Sequence, residues 1–247
     1  MIKNLIIIVL VILIIIISVP SVYILTNYLF RRRYKTIYFS HGYNDDLKLN
    51  RTDNTMKYIE DSIEKGFQGI EIDIHYIEKL NDFILEHDYD EDENKDEDEE
   101  KLLLSEVFNK YRNSKKNIIF WLDHKNLNED NWEISKSILE SYQKKYNVNF
   151  LLESPSYKNL LLLSKSSNIK TCNWIDNKWH IFWPQDFDFI SIPYEIYFKD
   201  KLFYDLFSPL PINIFTVNSP KILNKLSNQS NISYIITDIN IHNVISK

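Results

Sequence analysis

Glycine is almost missing from this chain: Gly42, Gly66 and Gly69 are the only three in 247 residues, and all fall within 28 positions. With so few glycines, each one marks a backbone position that tolerates no Cβ. Cysteine is scarcer still. Cys172 stands alone, which excludes an intramolecular disulfide and a Cys-rich zinc site. No Gly-rich loop opens a helix after the first strand-like run, which removes the dinucleotide type of phosphate cradle. No basic face interleaved with aromatics is present, and the formal net charge of −6 argues against a nucleic-acid partner. Tandem repeats are absent.

A long apolar run is present. Leu5 to Leu25 holds 21 residues without a charge, interrupted only by Ser18, Pro20 and Ser21. About 20 apolar residues span a bilayer core, so the run reads as a single N-terminal transmembrane helix, with a cleaved signal peptide as the rival. Arg31, Arg32, Arg33 and Lys35 follow it, whereas only Lys3 precedes it. Positive charge favours the cytoplasmic side, so the expectation is a single-pass membrane protein with its main domain leaning cytoplasmic. Three glycosylation-type sequons, beginning at Asn50, Asn228 and Asn231, pull weakly the other way in an Asn-rich chain. Residues 1–34 are thus assigned to an anchor with a basic flank. About 213 residues remain, 35–247, enough for one domain with a sizeable core.

Within that domain, short β-branched or aromatic runs alternate with helical patterns. The runs are Thr36–Ser40, Gly69–Ile74, Phe83–Glu86, Asn117–Leu122, Val148–Leu152, Ile169–Trp174, Phe189–Ile192, Ile212–Val217 and Tyr234–Thr237. Met56, Ile59 and Ile63 recur at helical spacing, with Asp53 or Asn54 as candidate caps and Gly66 suited to the position after the end. Trp132, Ile138, Leu139 and Tyr142 repeat the pattern. Such alternation predicts an α/β fold with a parallel sheet, and the count favours a closed (β/α)₈ barrel over an open doubly wound sheet. Nine runs are one too many, so one is misread or peripheral. Residues 88–101 break the pattern: Asp88 to Glu100 carries ten acidic residues and reads as a solvated loop. A calcium loop fails there for want of glycine at its sixth position.

Chemistry gathers at the strand ends. Residues i and i+2 share a strand face, so Glu71 and Asp73 project together and repel unless a cation or proton intervenes. Asp123 and Lys125 end a later strand; His41 follows the first, and His87 with Asp88 follows Phe83–Glu86. Active sites of (β/α)₈ barrels lie at that rim. His75 shares the parity of Glu71 and is read as lying past the strand end, whereas His124 alternates away toward the outer layer. The aromatic stretch Trp174, Trp179, Phe182, Trp183, Phe187 and Phe189 is read as core packing, with a pocket wall or a bilayer-touching loop as the alternatives.

These motifs, in this order, resemble the glycerophosphodiester phosphodiesterase family of metal-dependent (β/α)₈ barrels, within the phospholipase C-like superfamily. The corresponding pieces are His41-Gly42, Asp53-Asn54-Thr55, Gly69-Ile-Glu71-Ile-Asp73, His87-Asp88, Asp123-His-Lys125, Phe215-Thr-Val-Asn218 and Ile235-Ile-Thr-Asp238. The resemblance covers nearly everything after residue 35. It implies that Glu71, Asp73 and Asp123 hold one divalent cation, Mg²⁺ or Ca²⁺. It implies that His41 and His87 share general acid and base work, in an order left open. Lys125 would neutralise phosphate, and Phe215 would line the substrate pocket.

The implied reaction is hydrolysis of a small-molecule or lipid phosphodiester: a glycerophosphodiester, with lysophospholipids as the lipid case, gives glycerol phosphate or lysophosphatidate plus an alcohol. Three departures stand out. The family's Arg after the first His is missing, the third acidic ligand is Asp rather than Glu, and Phe215 replaces a Trp. The alternatives are a cyclising phosphodiesterase of the phospholipase C or sphingomyelinase D type, and an inactive membrane-tethered binding module.

Overall fold

Alternation of buried side chains builds this molecule as two cores separated by one layer of strands. The computed structural model describes residues 34–41, 54–89, 101–112, 114, 117–182, 186–239 and 241. Its strands are β1 (Ile37–Ser40), β2 (Gly69–Ile77), β3 (Asp82–Leu85), β4 (Ile119–His124), β5 (Asn149–Glu153), β6 (Lys170–Trp174), β7 (Phe189–Pro193), β8 (Ile212–Phe215) and β9 (Ile232–Thr237). The helices are α1 (Met56–Glu64), α2 (Leu104–Tyr111), α3 (Trp132–Tyr146), α4 (Tyr157–Ser166), α5 (Tyr194–Lys199), α6 (Lys201–Phe207) and α7 (Pro220–Ser227).

Eight strands close a parallel barrel in the order β1, β2, β4, β5, β6, β7, β8, β9, with β9 pairing back onto β1. The surplus run is β3, which returns antiparallel along the outer end of β2, Leu85 opposite Ile74 and Asp82 opposite Ile77. His87 therefore does not end a barrel strand as expected. It reaches the rim because the hairpin folds back from Ile77 to the level of Asp73.

The outer core takes one parity of each strand: Ile70, Ile72 and Ile74 of β2, Phe120 and Leu122 of β4, Phe150 and Leu152 of β5. These pack beneath Tyr58, Ile59 and Ile63 of α1 and Ile138, Leu139 and Tyr142 of α3, as the helical spacing predicts. The opposite parity fills the barrel with Phe39, Trp121, Leu151, Cys172, Phe189, Tyr234 and Ile236. Glycine answers a packing demand here. A Cβ at Gly69 would stand 2.5 Å from the Phe39 ring, so the missing side chain makes room for that ring inside the barrel. Gly66 serves differently, taking φ 81° just past the end of α1. The α1 cap is neither Asp53, which lies outside the described residues, nor Asn54; Thr55 accepts from Tyr58 N at 3.2 Å.

Two expectations need correction. Among the described residues no helix is long and apolar enough to cross a membrane, so the single-pass membrane assignment and its cytoplasmic leaning are withdrawn. Leu5–Leu25, the basic flank, Gly42, the Asn50 sequon, Trp183 and residues 90–100 of the acidic run lie outside the described residues. The aromatic stretch is also only partly core: Phe187 and Phe189 are buried, but Trp174, Trp179 and Phe182 are 46%, 59% and 56% exposed.

Gly69→Ala should destabilise the barrel by about 1–3 kcal/mol, because Phe39 must leave its rotamer or push the strand outward. Urea unfolding checks this, and an unchanged midpoint would show that the ring adjusts freely.

Candidate active site

The C-terminal mouth of the barrel forms a cleft of about 280 Å³ lined by His41, Glu71, Asp73, His87, Trp121, Asp123, Lys125, Glu153, Phe215, Thr216 and Ile236. All seven residues singled out from the sequence are on this wall. Parity explains most of them. Glu71 and Asp73 continue the inward series begun at Gly69, and Asp123 continues from Trp121. Lys125 follows one turn of the pleat later, its N–H donating to Ile74 O at 3.0 Å.

Three carboxylates meet in this cleft. Glu71, Asp73 and Asp123 each offer an oxygen, and the three oxygens lie within 4.8 Å of one another. Burial first, then the Asp73 charge, push the Glu71 carboxyl well above its usual range. Burial likewise raises Asp123, against the pull of Lys125. Lys125 Nζ bridges the group at 2.7 Å from Asp73 Oδ1 and 2.6 Å from Asp123 Oδ2. Burial opposes the lysine charge, but Asp123 and Asp73 outweigh it and raise the ammonium pKa. Asp123 Oδ1 is sealed from solvent with no hydrogen-bond partner among the described residues. An all-oxygen, crowded and under-neutralised donor set of this kind fits a hard divalent cation.

Asn54, considered above only as a cap or motif residue, positions the second carboxylate. Its Nδ2 donates to Asp73 Oδ2 and its Oδ1 accepts from Asp73 N, both at 2.9 Å. Asn54 takes a left-handed backbone, φ 64°, to do so. Nothing in local sequence distinguishes this role from helix capping.

The imidazoles are held unequally. His41 Nδ1 donates to Asp238 Oδ1 at 2.8 Å, and Asp238 is itself oriented by Asn218, whose Oδ1 accepts from Asp238 N at 2.9 Å. Burial alone would lower the His41 pKa; the Asp238 hydrogen bond and the charges of Glu71, Asp238 and Asp73 together raise it to about 9. Asp238 and Asn218 thus give the two C-terminal motifs a task that sequence reading left blank. His87 is more open, with Nδ1 donating to the exposed Asp88 at 2.7 Å. His75 is not past the strand end but inside β2, and it stays out of the carboxylate group. Its Nε2 donates to His87 O at 3.3 Å, and burial lowers its pKa. His124 faces the helices as expected, paired with Ser135 of α3 at 3.0 Å.

Glu153 was missed altogether. It ends β5 in register with Asp123, on the same inward parity, so the rule that found Asp123 finds it too. Burial, then the Asp123 charge, push it up to about 8.

A raised His41 pKa stabilises the fold fully below the unfolded value of 6.5, and that stabilisation is lost as pH climbs through about 9. In metal-free protein, Tm should therefore fall between about pH 6.5 and pH 9. Asp238→Asn should flatten the fall, whereas parallel melting curves would remove the pair from the stability argument.

No protein-family model matches the sequence, and no curated protein matches it. Solved structures do. A glycerophosphodiester phosphodiesterase from Parabacteroides distasonis superposes with a TM-score of 0.64 at 18% identity, covering 85% of this chain and 95% of that one. An Oleispira antarctica phosphodiesterase in complex with the product sn-glycerol-3-phosphate gives 0.64 at 15% identity, covering 85% and 97%. A calcium-dependent phosphoinositol-specific phospholipase C from Pseudomonas sp. gives 0.53 at 9% identity, covering 81% and 88%. The backbone thus shares what the motifs resemble: this chain is built on the fold of the glycerophosphodiester phosphodiesterases.

Proposed function

We propose that this chain is a metal-dependent phosphoric diester hydrolase acting on glycerophosphodiesters, with lysophospholipids as its lipid substrates. The observation that carries the reading is one cleft holding two imidazoles, three converging carboxylates and a lysine at the mouth of a phosphodiesterase-type barrel. The product-bound neighbour supports a glycerol phosphate product.

Glu71, Asp73 and Asp123 would hold the cation, whose positive charge would offset that of the phosphate oxygens when it is bound. Asn54 and Lys125 keep Asp73 in place for that role. His41 and His87 both line the cleft that holds the carboxylate group and together supply the proton traffic. One imidazole takes a proton from the attacking water as its oxygen bonds to phosphorus, and the other protonates the alcohol as the old P–O bond breaks. With Nδ1 donating to Asp238, His41 presents Nε2 as its exchanging atom, and Asp238 fixes that tautomer. Phe215 and Trp121 offer the apolar wall against which the leaving alcohol can rest.

A ring-closing reaction is the second reading, favoured by the phospholipase C neighbours on the same fold. Product analysis by phosphorus NMR separates the two, since a cyclic phosphate that persists would replace simple hydrolysis.

The full chain, incubated with glycerophosphocholine or lysophosphatidylcholine and either Mg²⁺ or Ca²⁺, should release choline. Chelation should abolish turnover, and Glu71→Ala should lower kcat/KM by on the order of 100-fold or more. His41→Asn and His87→Asn should each lose roughly 10²–10⁴-fold. Turnover indifferent to chelation would sink the metal role, and none on either substrate would sink this substrate assignment.

A further inference from the structure

The two imidazoles of the cleft are supported very differently. His41 donates to Asp238, which Asn218 holds in turn. The side-chain partner of His87 is Asp88, whose own side chain is 92% exposed. A pair so open to water fixes little geometry. The sheet does not hold the His87 backbone either. β3 ends at Leu85, opposite Ile74, so His87 lies two residues beyond the last rung of that ladder. Leu85 N donates to Leu102 O and Lys101 meets Glu86 at 2.8 Å, but both contacts stop short of His87.

One contact reaches His87 from the body of the barrel. His75 is buried within β2, opposite Ile84, on a strand tied to β1 and β4 as well as to β3. Its Nε2 lies 3.3 Å from His87 O. A carbonyl oxygen can only accept, so Nε2 carries the proton of the neutral ring and Nδ1 does not. The same ring packs at 5.4 Å against Tyr89, two residues further along the loop. Among the described residues no other hydrogen bond reaches the His87 backbone. Other tasks for His75 find no support in its surroundings: it does not line the cleft, and it is not a member of the carboxylate group. A rigid strand thus reaches out through one side chain to a loop that carries a reacting group, and small displacements of such a group are costly to rate.

We infer that His75 is a positioning residue, which fixes the imidazole of His87 at the cleft by holding the His87 carbonyl. Its consequence for turnover rests on the phosphodiesterase reading, whereas the placing of His87 does not.

NMR of the full chain labelled with ¹⁵N-histidine, which reports on only six residues, tests the placing without turnover. Wild type should show a neutral His75 with its proton on Nε2. A proton on Nδ1 instead overturns the inference, and this reading needs no variant to fold. His75→Phe keeps a flat ring beside Tyr89 and removes the donor. The order parameter of the His87 amide should then drop from about 0.85 to below about 0.6. In the same variant kcat should fall roughly 10–100-fold while KM stays within about twofold. His75→Gln, whose amide nitrogen can stand where Nε2 stood, should recover most of the order and of kcat. Unchanged His87 order in His75→Phe overturns the inference. So does a His75→Gln that behaves like His75→Phe, and so does a rise in KM at constant kcat, which would make His75 a substrate contact. If the donor-bearing chains hold His87 rigid and His75→Phe does not, yet none cleaves a glycerophosphodiester, the positioning stands and the proposed reaction fails.

Discussion

Mutual repulsion among Glu71, Asp73 and Asp123 is the constraint around which the upper half of the barrel is arranged. Two come from one strand and one from its neighbour, so strand parity and register force them together whether or not their charges allow it. The fold answers with a lysine placed between Asp73 and Asp123 and an asparagine that grips Asp73 by side chain and backbone at once. Those contacts hold the geometry but leave Glu71 buried beside the Asp73 charge, which His41 and Lys125 only partly offset. Carboxyl groups crowded and buried in this way cost stability, a pattern typical of functional centres.

The lower half of the barrel makes that arrangement possible. Phe39 and Trp121 meet edge to face at 5.7 Å, and Phe39 lies 5.0 Å from the Tyr234 ring. These rings fill the barrel beneath the carboxylates. They need the absence of a side chain at Gly69.

Legibility varied with the range of the interaction. Glu71, Asp73 and Asp123 were readable because a period of two is local and survives any tertiary arrangement. His124 was placed correctly on the outer face by the same rule. Asn54 was visible as a cap and a motif residue but not as a partner of Asp73, since that bond spans 19 residues. Asp238 and Asn218 stood in recognisable motifs, but their task depends on His41, 197 residues from Asp238. Glu153 obeys the readable rule but falls one residue past the run Val148–Leu152, at the edge of a Ser-Pro loop. The direction of β3 was signalled only by the short link before it, since hydrophobic alternation reads the same along parallel and antiparallel strands and a parallel crossover needs about a dozen residues.

Local periodicity and residue chemistry, both contained in the sequence, determined the alternation of strands and helices, the inward set of acids and the histidine-bearing rim. Tertiary structure alone decided which eight of the nine strands close, which nitrogen of His41 is occupied, and which carboxyl groups are buried together inside the barrel. The physical reason is the same in each case. Period and propensity act between neighbours in the chain, whereas closure, hydrogen-bond pairing and desolvation act between residues brought together only when the barrel shuts.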